Sequence, residues 1–370
     1  MRAGGAAAPL SGRLRQWHTA CHFQPPRSAV TPLRLMGAPG SPYTRKMLAV
    51  LRYRRIPYAF IHGSHRERQD LPQPKVALLP TFYLPGANGQ LEAVVDSTPL
   101  IRRFEAEYPA RSVIPPDPAL AFLDYLLEDF ADEWLTKAMF HYRWHFQADA
   151  DFGGEILPRW RVRPRPDAEL AAMQRFIRER QVARLYVVGS NDVTAPVIEA
   201  SYHRYLAALK AHLERQPFLF GARPAASDFA AFGQLTQLAK FDPTPRAICI
   251  AEAPRIFAWV DVVEDLSGLE PGDSDWQSPV AIPDTLRALF VEAGRTYTPV
   301  MLANAAAVRA GAEKVETEVD GLPWTQSPFP YQAHCLGWVR GEFGKLDPAG
   351  RRAVMAVLDG TGCEALLAGA

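Results

Sequence analysis

Residues 33–46 read LRLMGAPGSPYTRK, and this stretch decides the fold. The apolar run LRLM precedes a turn rich in glycine and proline, which indicates a short buried strand that ends in that turn. Apolar residues then recur at helical spacing from Met47 to Leu51. The next run, IPYAFI (56–61), has the composition of a second strand. Residues 33–61 are therefore predicted to form a strand–helix–strand unit with parallel strands.

The segment that follows adds a hairpin and a helix. TFYLPGANGQLEAVV (81–95) contains two strand-like runs on either side of Asn88-Gly89, which is a strong hairpin turn signal. DSTP (96–99) predicts a helix start, because a carboxylate or hydroxyl cap followed by proline favours the first helical turn. The order β-α-β, a connection, then β-β-α is that of a thioredoxin-like α/β domain.

Strand signals nearly vanish after Pro115-Pro116, and the composition change at 111–117 predicts a domain boundary. The rest of the chain is predicted to be helical. The predicted helices cover residues 119–146, 168–187, 196–215, 226–239, 254–265, 283–308, 329–345 and 348–368. The predicted organisation is a flexible leader (1–31), a thioredoxin-like domain (32–112), an all-helical domain (117–270) and an extra helical tail (271–370).

Composition and charge limit the function classes. The 41 basic residues nearly cancel the 40 acidic ones, so no overall field favours nucleic acid or an anionic membrane. A hydrophobic fraction of 48% is typical of a globular chain. No apolar run approaches the roughly 20 residues that span a bilayer. We therefore expect a soluble protein without nucleic-acid or membrane partners.

The cysteines and the leader bear on the compartment. The four cysteines are far apart and form no CxxC, which predicts neither a zinc site nor a disulfide framework and suits the reducing cytoplasm. Residues 1–31 are rich in Arg, Ala and Pro, and the first acidic residue is Glu67. A basic, acid-poor leader is typical of a transit peptide, but a flexible extension is the favoured interpretation.

The turn before the first predicted helix carries the candidate chemistry. A helix N-terminus presents unpaired N–H groups and a positive dipole end, so it favours an anion such as a thiolate. Ser41 lies at that end, where its hydroxyl could donate a hydrogen bond to the sulfur of a ligand and lower the pKa of the thiol. Tyr43 is a second candidate hydroxyl. Arg45 and Lys46 are expected on a solvated face.

Two further elements favour an extended peptide ligand. Leu79-Pro80 precedes the third strand, where proline removes a backbone donor and a cis bond is an option, leaving an edge that can pair with a peptide. At the next helix start, Ser97 and free N–H groups suit a carboxylate, while Asp96 could accept from an ammonium. Together with Ser41, these features fit a small, acidic thiol peptide.

These motifs resemble the glutathione transferase superfamily. Residues 33–110 look like its N-terminal domain, and residues 117–265 look like its helical domain. SPYT (41–44) matches the position of the family's catalytic Ser or Cys and the CPYC of related glutaredoxins. Leu79-Pro80 matches the family's cis-proline, and Asp96-Ser97 matches the pair that binds the γ-glutamyl group.

The helical domain carries a further motif. FGARPAASD (220–228) resembles the family's folding motif, with Asp228 in the acidic position. The family's capping Thr or Ser is Ala225 here, so one N-cap hydroxyl is missing, worth about 1 kcal/mol of helix stability. Ser227 is an alternative cap, with a shifted helix start.

The resemblance implies a glutathione transferase that conjugates the glutathione thiolate to a hydrophobic, electrophilic small molecule. It also implies that glutathione is a co-substrate, that no metal is needed, and that the protein is a homodimer. The implied catalytic residues are Ser41 and Tyr43, and the implied glutathione-binding residues are Leu79, Pro80, Asp96 and Ser97.

Two other functions remain open. Some members of this fold have lost activity, so a catalytically inactive binding or scaffold protein is the main alternative. A thiol–disulfide oxidoreductase is disfavoured, because neither Ser41 nor Thr44 supplies a thiolate.

The predicted helix 119–146 and the tail raise three smaller questions. His141 and His145 share a helix face, but without a third ligand at motif spacing a metal site is disfavoured. Aromatic residues of this helix form either a wall for the electrophile or part of the core; they are Tyr125, Trp134, Phe140, His141 and Trp144. Segments 296–308 and 327–339 are amphipathic, so the tail is expected to dock on the helical domain and roof the cleft.

Overall fold

The computed structural model describes residues 31–160, 162 and 164–368. The predicted leader, as a flexible extension or a transit peptide, lies outside these residues except for Thr31. The N-terminal region consists of β1 (Leu33–Gly37), α1 (Pro42–Tyr53), β2 (Tyr58–His62), β3 (Thr81–Pro85), β4 (Leu91–Val94) and α2 (Ser97–Glu107).

The four strands form one mixed sheet in the order β2-β1-β3-β4. β1 pairs in parallel with β2 and antiparallel with β3, and β3 pairs antiparallel with β4. In the strand register, Leu35 of β1 lies opposite Phe60 of β2 on one side and Phe82 of β3 on the other. This confirms the predicted thioredoxin-like sheet and places the loop after β1 beside the loop before β3.

The following region is helical. It contains α3 (Pro118–Phe130), α4 (Thr136–His145), α5 (Gln147–Ile156), α6 (Asp167–Val182), α7 (Ala195–Leu213), α8 (Ala226–Leu235), α9 (Pro243–Glu252) and α10 (Pro254–Val263). A π-helical turn, Ala131–Leu135, separates α3 from α4, so the predicted long helix 119–146 is interrupted there. Helices α5 and α9 were not predicted.

The C-terminal extension is helical apart from one hairpin. It contains α11 (Asp284–Ala310), β5 (Val315–Val319), β6 (Leu322–Gln326), α12 (Pro330–Lys345) and α13 (Pro348–Leu358). The sequence predicted only a polar connection where β5 and β6 pair. Asp320 and Gly321 both have positive φ, as a two-residue hairpin turn requires. Among the described residues, no helix is both long and apolar enough to cross a membrane.

Helices α1 and α8 join the sheet to the helical region. Gly233 makes this contact close, because a Cβ at that position would lie 2.6 Å from the carbonyl oxygen of Pro42. The hydrophobic core runs without a break from the sheet through the helices into the extension. α1 is therefore held in place from both of its sides, which fixes the loop that precedes it.

The start of α8 replaces its missing cap in an unexpected way. Ala225 is the N-cap, so the predicted shift of the helix start to a Ser227 cap is wrong. Instead, the Asp124 carboxylate of α3 accepts from the Ser227 N–H at 2.9 Å. Asp228 accepts from the N–H groups of Ala225 and Leu219, both at 2.9 Å. Burial raises the pKa of Asp228 to about 8, and these two bonds act in the opposite direction.

The extension docks on the helical region, as expected. Trp324 of β6 packs against Trp134 in a tilted arrangement with ring centroids 5.4 Å apart, and both rings are buried. The Arg204 guanidinium of α7 binds both carboxylate oxygens of Glu292 on α11, at 2.8 and 3.0 Å. A buried aromatic pair together with a bidentate ion pair makes the extension part of one folded unit.

Candidate functional site

Ser41 lies at the start of α1. Its backbone is extended, and its Oγ accepts from the Thr44 N–H at 3.2 Å, which is the N-cap geometry. The same hydroxyl donates to the carbonyl oxygen of Leu79 at 3.2 Å. Ser41 is half-buried, so a ligand sulfur can reach the hydroxyl. To donate to that sulfur, the hydroxyl must turn away from Leu79.

Residues distant in the sequence fix the loop before Ser41. The Arg143 guanidinium donates to the Gly40 carbonyl at 3.1 Å, and the Gln237 amide donates to the Pro39 carbonyl at 3.2 Å. Arg143 is buried and is held by both carboxylate oxygens of Asp242, at 2.8 and 2.9 Å. Sequence reasoning did not identify Arg143 or Gln237 as supports of this loop, because neither belongs to a motif.

The strand edge beside Ser41 is partly open. The Leu79–Pro80 peptide bond is cis. Residues 75–78 are exposed, while Leu79 is half-buried and Pro80 is buried. Within the described part of the chain, no acceptor pairs with the Leu79 N–H. The backbone at Leu79 therefore has a free donor that could pair with an extended peptide.

Tyr43 points away from this edge. Its hydroxyl donates to the Asp132 carbonyl oxygen at 2.7 Å, across the contact between α1 and the π-helical turn. Burial, assisted by the nearby Glu133 and Asp132 carboxylates, raises the pKa of the phenol well above its ordinary value. A role in activating a thiol would require this hydrogen bond to break.

Asp96 and Ser97 begin α2 next to a buried lysine. Asp96 has a φ of 82°, a left-handed conformation that is uncommon for a residue other than glycine. Ser97 is 7% exposed, and its hydroxyl accepts from the Lys46 ammonium at 3.2 Å. The expectation that Lys46 lies on a solvated face is wrong, because its side chain is 1% exposed. The first N–H groups of α2 have no acceptor within the helix and can face a ligand carboxylate.

Buried carboxylates surround Lys46. Its Nζ lies 2.8 Å from Glu128 Oε1 and 2.6 Å from Asp132 Oδ2. Burial raises the pKa of Asp132 to about 6 even though Lys46 acts in the opposite direction. Burial acts to raise the pKa of Glu128, but Lys46 and Arg102 together outweigh this effect and lower the pKa to about 2. Lys46 therefore ties α1 to both α2 and α3.

The extension reaches this site through one side chain. Tyr331, in the first turn of α12, donates its hydroxyl to Asp96 Oδ2 at 3.0 Å. Burial raises the pKa of Asp96, and the bond from Tyr331 opposes that rise. Sequence reasoning expected a roof over the cleft from the segment 327–339, but it did not single out Tyr331.

The aromatic residues predicted for a substrate wall are mostly core. Tyr125, Trp134, His141 and Trp144 are buried, and Phe140 is half-buried. His141 and His145 stack at 4.5 Å, and His141 also contacts Ser190 and Glu199. Among the described residues, no group of His, Cys, Asp and Glu side chains could hold a metal ion.

Two depressions exist elsewhere in the fold. One of about 330 Å³ lies on α7 beside Lys210 and Glu252, and a void of about 10 Å³ lies beside Phe130 and Ser227. Neither includes a predicted site residue.

The sheet, the helix that follows its first strand and the helical region define a two-part class of protein: a thioredoxin-like region that feeds an all-helical region. The family comparisons agree. Residues 35–112 match the glutathione S-transferase N-terminal domain, and residues 170–261 match the glutathione S-transferase C-terminal domain. The chain belongs to the glutathione S-transferase superfamily, and the residues after 261, which include the extension, lie beyond both matches.

Solved structures give a consistent but distant comparison. A glutathione S-transferase from Methylobacterium radiotolerans, in complex with glutathione sulfonate, has 19% identity and a TM-score of 0.38, covering 67% of this chain and 96% of its own. A Pseudomonas fluorescens family member with two glutathione molecules bound has 18% identity and a TM-score of 0.37, covering 71% and 95%. FzlA from C. crescentus has 12% identity and a TM-score of 0.39, covering 67% and 96%. At these values the likeness carries no activity over to this chain.

No curated protein sequence matches the chain.

Proposed function

We propose that the protein is a glutathione-dependent transferase that conjugates the glutathione thiolate to a hydrophobic electrophile. The observation that carries the proposal is the meeting of Ser41 Oγ with the strand edge, 3.2 Å from the Leu79 carbonyl. A cysteinyl group paired with that edge would bring its sulfur to Ser41 and to the positive end of α1. Holding both substrates together replaces a bimolecular encounter by an oriented one.

The site residues have separate roles in this proposal. Ser41 donates to the thiolate and lowers the pKa of the thiol, while Tyr43 is the secondary candidate. Leu79 and the backbone before Pro80 hold the peptide, and Asp96 and Ser97 hold its α-amino-acid end. No metal takes part.

Glutathione titrations of wild type, Ser41→Ala and Ser97→Ala test these roles. Ser41→Ala should lower kcat/KM for conjugation of an aryl halide about hundredfold, since one donor to a developing charge is lost, and raise the pKa of the bound thiol. Ser97→Ala should weaken glutathione binding about tenfold, the loss of one hydrogen bond to a charged group. Calorimetry, steady-state rates and thiolate absorbance give these quantities.

Asp117→Ala is the matched control for Ser41→Ala. Asp117 caps α3 by accepting from the Leu120 N–H at 2.9 Å, and it is not one of the proposed ligand-binding residues. Both variants lose a helix cap, worth about 1 kcal/mol. Only Ser41→Ala should lose conjugation. If both lose it equally, the effect is one of stability and the role of Ser41 is refuted.

The second candidate is a catalytically inactive binding protein. It is favoured by the Ser41 hydroxyl already donating to Leu79 and by Tyr331 already donating to Asp96. Glutathione at 100 times its dissociation constant should stabilise either kind of protein by about 2.7 kcal/mol. Binding without turnover across a panel of aryl halides, epoxides and enones would support the inactive protein.

The remaining predictions extend the proposal. We propose that the protein is a homodimer and that it is cytoplasmic. The three cysteines among the described residues are unpaired, which is compatible with a reducing compartment. Sedimentation and fractionation measure these properties. The domain limits 32–112, 117–270 and 271–370 also stay predictions, which limited proteolysis can test.

A further inference from the structure

The amino end of the predicted ligand site includes a residue of the extension. The Tyr331 hydroxyl donates to Asp96 Oδ2 at 3.0 Å, joining positions 235 residues apart in the chain. The Tyr331 side chain remains partly open to solvent, with 37% exposure for the residue. A ligand atom placed against Asp96 Oδ2 would also lie close to the phenol oxygen, because the two oxygens are 3.0 Å apart.

Two anchors set the position of Tyr331. On one side, the buried Asn304 amide donates to the Phe329 carbonyl at 2.9 Å and accepts from the Phe329 N–H at 2.8 Å. On the other side, the buried Gln332 amide donates to the Glu133 carbonyl at 3.3 Å. With the residues before and after it both tied to the fold, the start of α12 is fixed and the phenol is directed at Asp96.

Carboxyl groups outnumber basic side chains around Asp96. Its electrostatic neighbours are the carboxyl groups of Glu128, Asp132 and Glu133 and the Lys46 ammonium. Asp132, which lies within electrostatic range of Asp96, is 7% exposed. Its Oδ1 is buried, and no hydrogen-bond partner for it exists among the described residues. Burial raises the pKa of Asp96 and Asp132, so a ligand ammonium at this site would stabilise their ionised forms.

We propose that Tyr331 completes the site for the α-ammonium of the ligand, so that the extension determines the preference for a peptide with a free amino group. The phenol O–H donates a hydrogen bond to Asp96, and the lone pairs of the phenol oxygen can accept a hydrogen bond from the ammonium. Two oxygens 3.0 Å apart then share one charged donor. This inference rests on the proposed glutathione site, and it assigns Tyr331 to binding and specificity rather than to chemistry.

Calorimetry with two ligands separates this role from a structural one. The ligands are glutathione and glutaryl-cysteinyl-glycine, which lacks only the α-amino group. Tyr331→Phe should bind glutathione about tenfold more weakly than wild type does. It should bind the deaminated analogue as tightly as wild type binds that analogue. Tyr331→Met is the second variant, because methionine also suits a helix and fills space. Tyr186→Phe, at an exposed position on another segment, should change neither affinity.

Each other outcome overturns the inference. An equal loss for both ligands would mean that Tyr331 acts on the site in general and not on the ammonium. Unchanged or tighter glutathione binding would mean that the phenol is irrelevant or shields Asp96. If wild type binds glutathione and only the Tyr331 effect is missing, the proposed function survives alone. If wild type binds neither ligand, the proposed function and this inference fail together.

Discussion

Replacing Lys46 by methionine tests how the fold holds the two ends of the candidate site together. Lys46 is 1% exposed and donates to Ser97, Glu128 and Asp132, at 3.2, 2.8 and 2.6 Å. Methionine has a similar length and good helix propensity, so α1 should persist. What the variant removes is the positive charge between buried carboxylates.

The structure allows the magnitude to be worked out. Without Lys46, Glu128 keeps Arg102 at 3.2 Å and the Thr98 hydroxyl at 3.0 Å, whereas Asp132 Oδ2 keeps only a 3.4 Å contact with Thr98. Removing one partner of a buried ion pair costs about 3–5 kcal/mol, because it leaves an uncompensated charge. We expect a loss in this range in the unfolding free energy at pH 8.

The cost should depend on pH with a defined sign. Burial already raises the pKa of Asp132 above its unfolded value, to about 6, and loss of Lys46 raises it further. A carboxyl group whose folded pKa is raised stabilises the fold below its unfolded pKa, and this contribution is lost as the pH rises through the folded pKa. Lys46→Met should therefore be less destabilised at pH 5 than at pH 8.

Urea unfolding followed by circular dichroism measures both effects. Arg103→Met is the control, since the exposed Arg103–Glu107 pair on α2 should contribute only about 0.3–0.5 kcal/mol. The double variant Lys46→Met, Asp132→Asn should recover part of the loss, because the orphaned charge is gone. A loss below about 1 kcal/mol at pH 8, or the same loss at both pH values, would refute the reasoning.

Two further predictions concern buried polar groups in the helical region. Burial, with a smaller effect from His145, lowers the pKa of His141 to about 3. Between pH 6.5 and 3 the unfolded chain therefore binds a proton at this residue that the folded chain does not bind. The unfolding free energy should fall with acidification by up to about 1.4 kcal/mol per pH unit. His141→Gln should show a shallower fall in urea titrations from pH 7 to 4, and identical slopes would contradict this. Asp124→Ala should cost about 1–2 kcal/mol relative to Asp124→Asn, because only alanine removes the acceptor for the Ser227 N–H. Equal unfolding midpoints for the two Asp124 variants would show that this bond does not cap α8.

Local signals were enough to predict the thioredoxin-like sheet. The strand–turn–helix pattern of residues 33–46 and the Asn88-Gly89 hairpin turn depend on neighbours in the sequence. The two missed helices have weak local signals. α5 contains Gly153 and Gly154, and α9 begins with two prolines that are compatible with a first helical turn but also typical of a loop.

The environment of the site could be predicted only in part. The sequence predicted Ser41 at the start of α1, and the structure has it as the N-cap of that helix. It did not predict the burial of Lys46, because a lysine near a helix start is usually solvated and its partners Glu128 and Asp132 are more than 80 positions away. The roles of Arg143 and Tyr331 could not be predicted for the same reason, since they depend on tertiary contacts.

The two ends of the candidate site differ in how far the family accounts for them. Ser41, Leu79 and Asp96 lie within the matched segment 35–112. By contrast, Asp132 and Tyr331, which with Lys46 determine the electrostatics around Asp96, lie outside both matched segments. The proposed thiol end therefore lies within a matched family segment, whereas the amino end combines Asp96 of that segment with contacts from the helical region and the extension. Because the extension also covers Trp134 and pairs its own Glu292 with Arg204 of α7, any change in specificity that it brings is coupled to the stability of the whole fold.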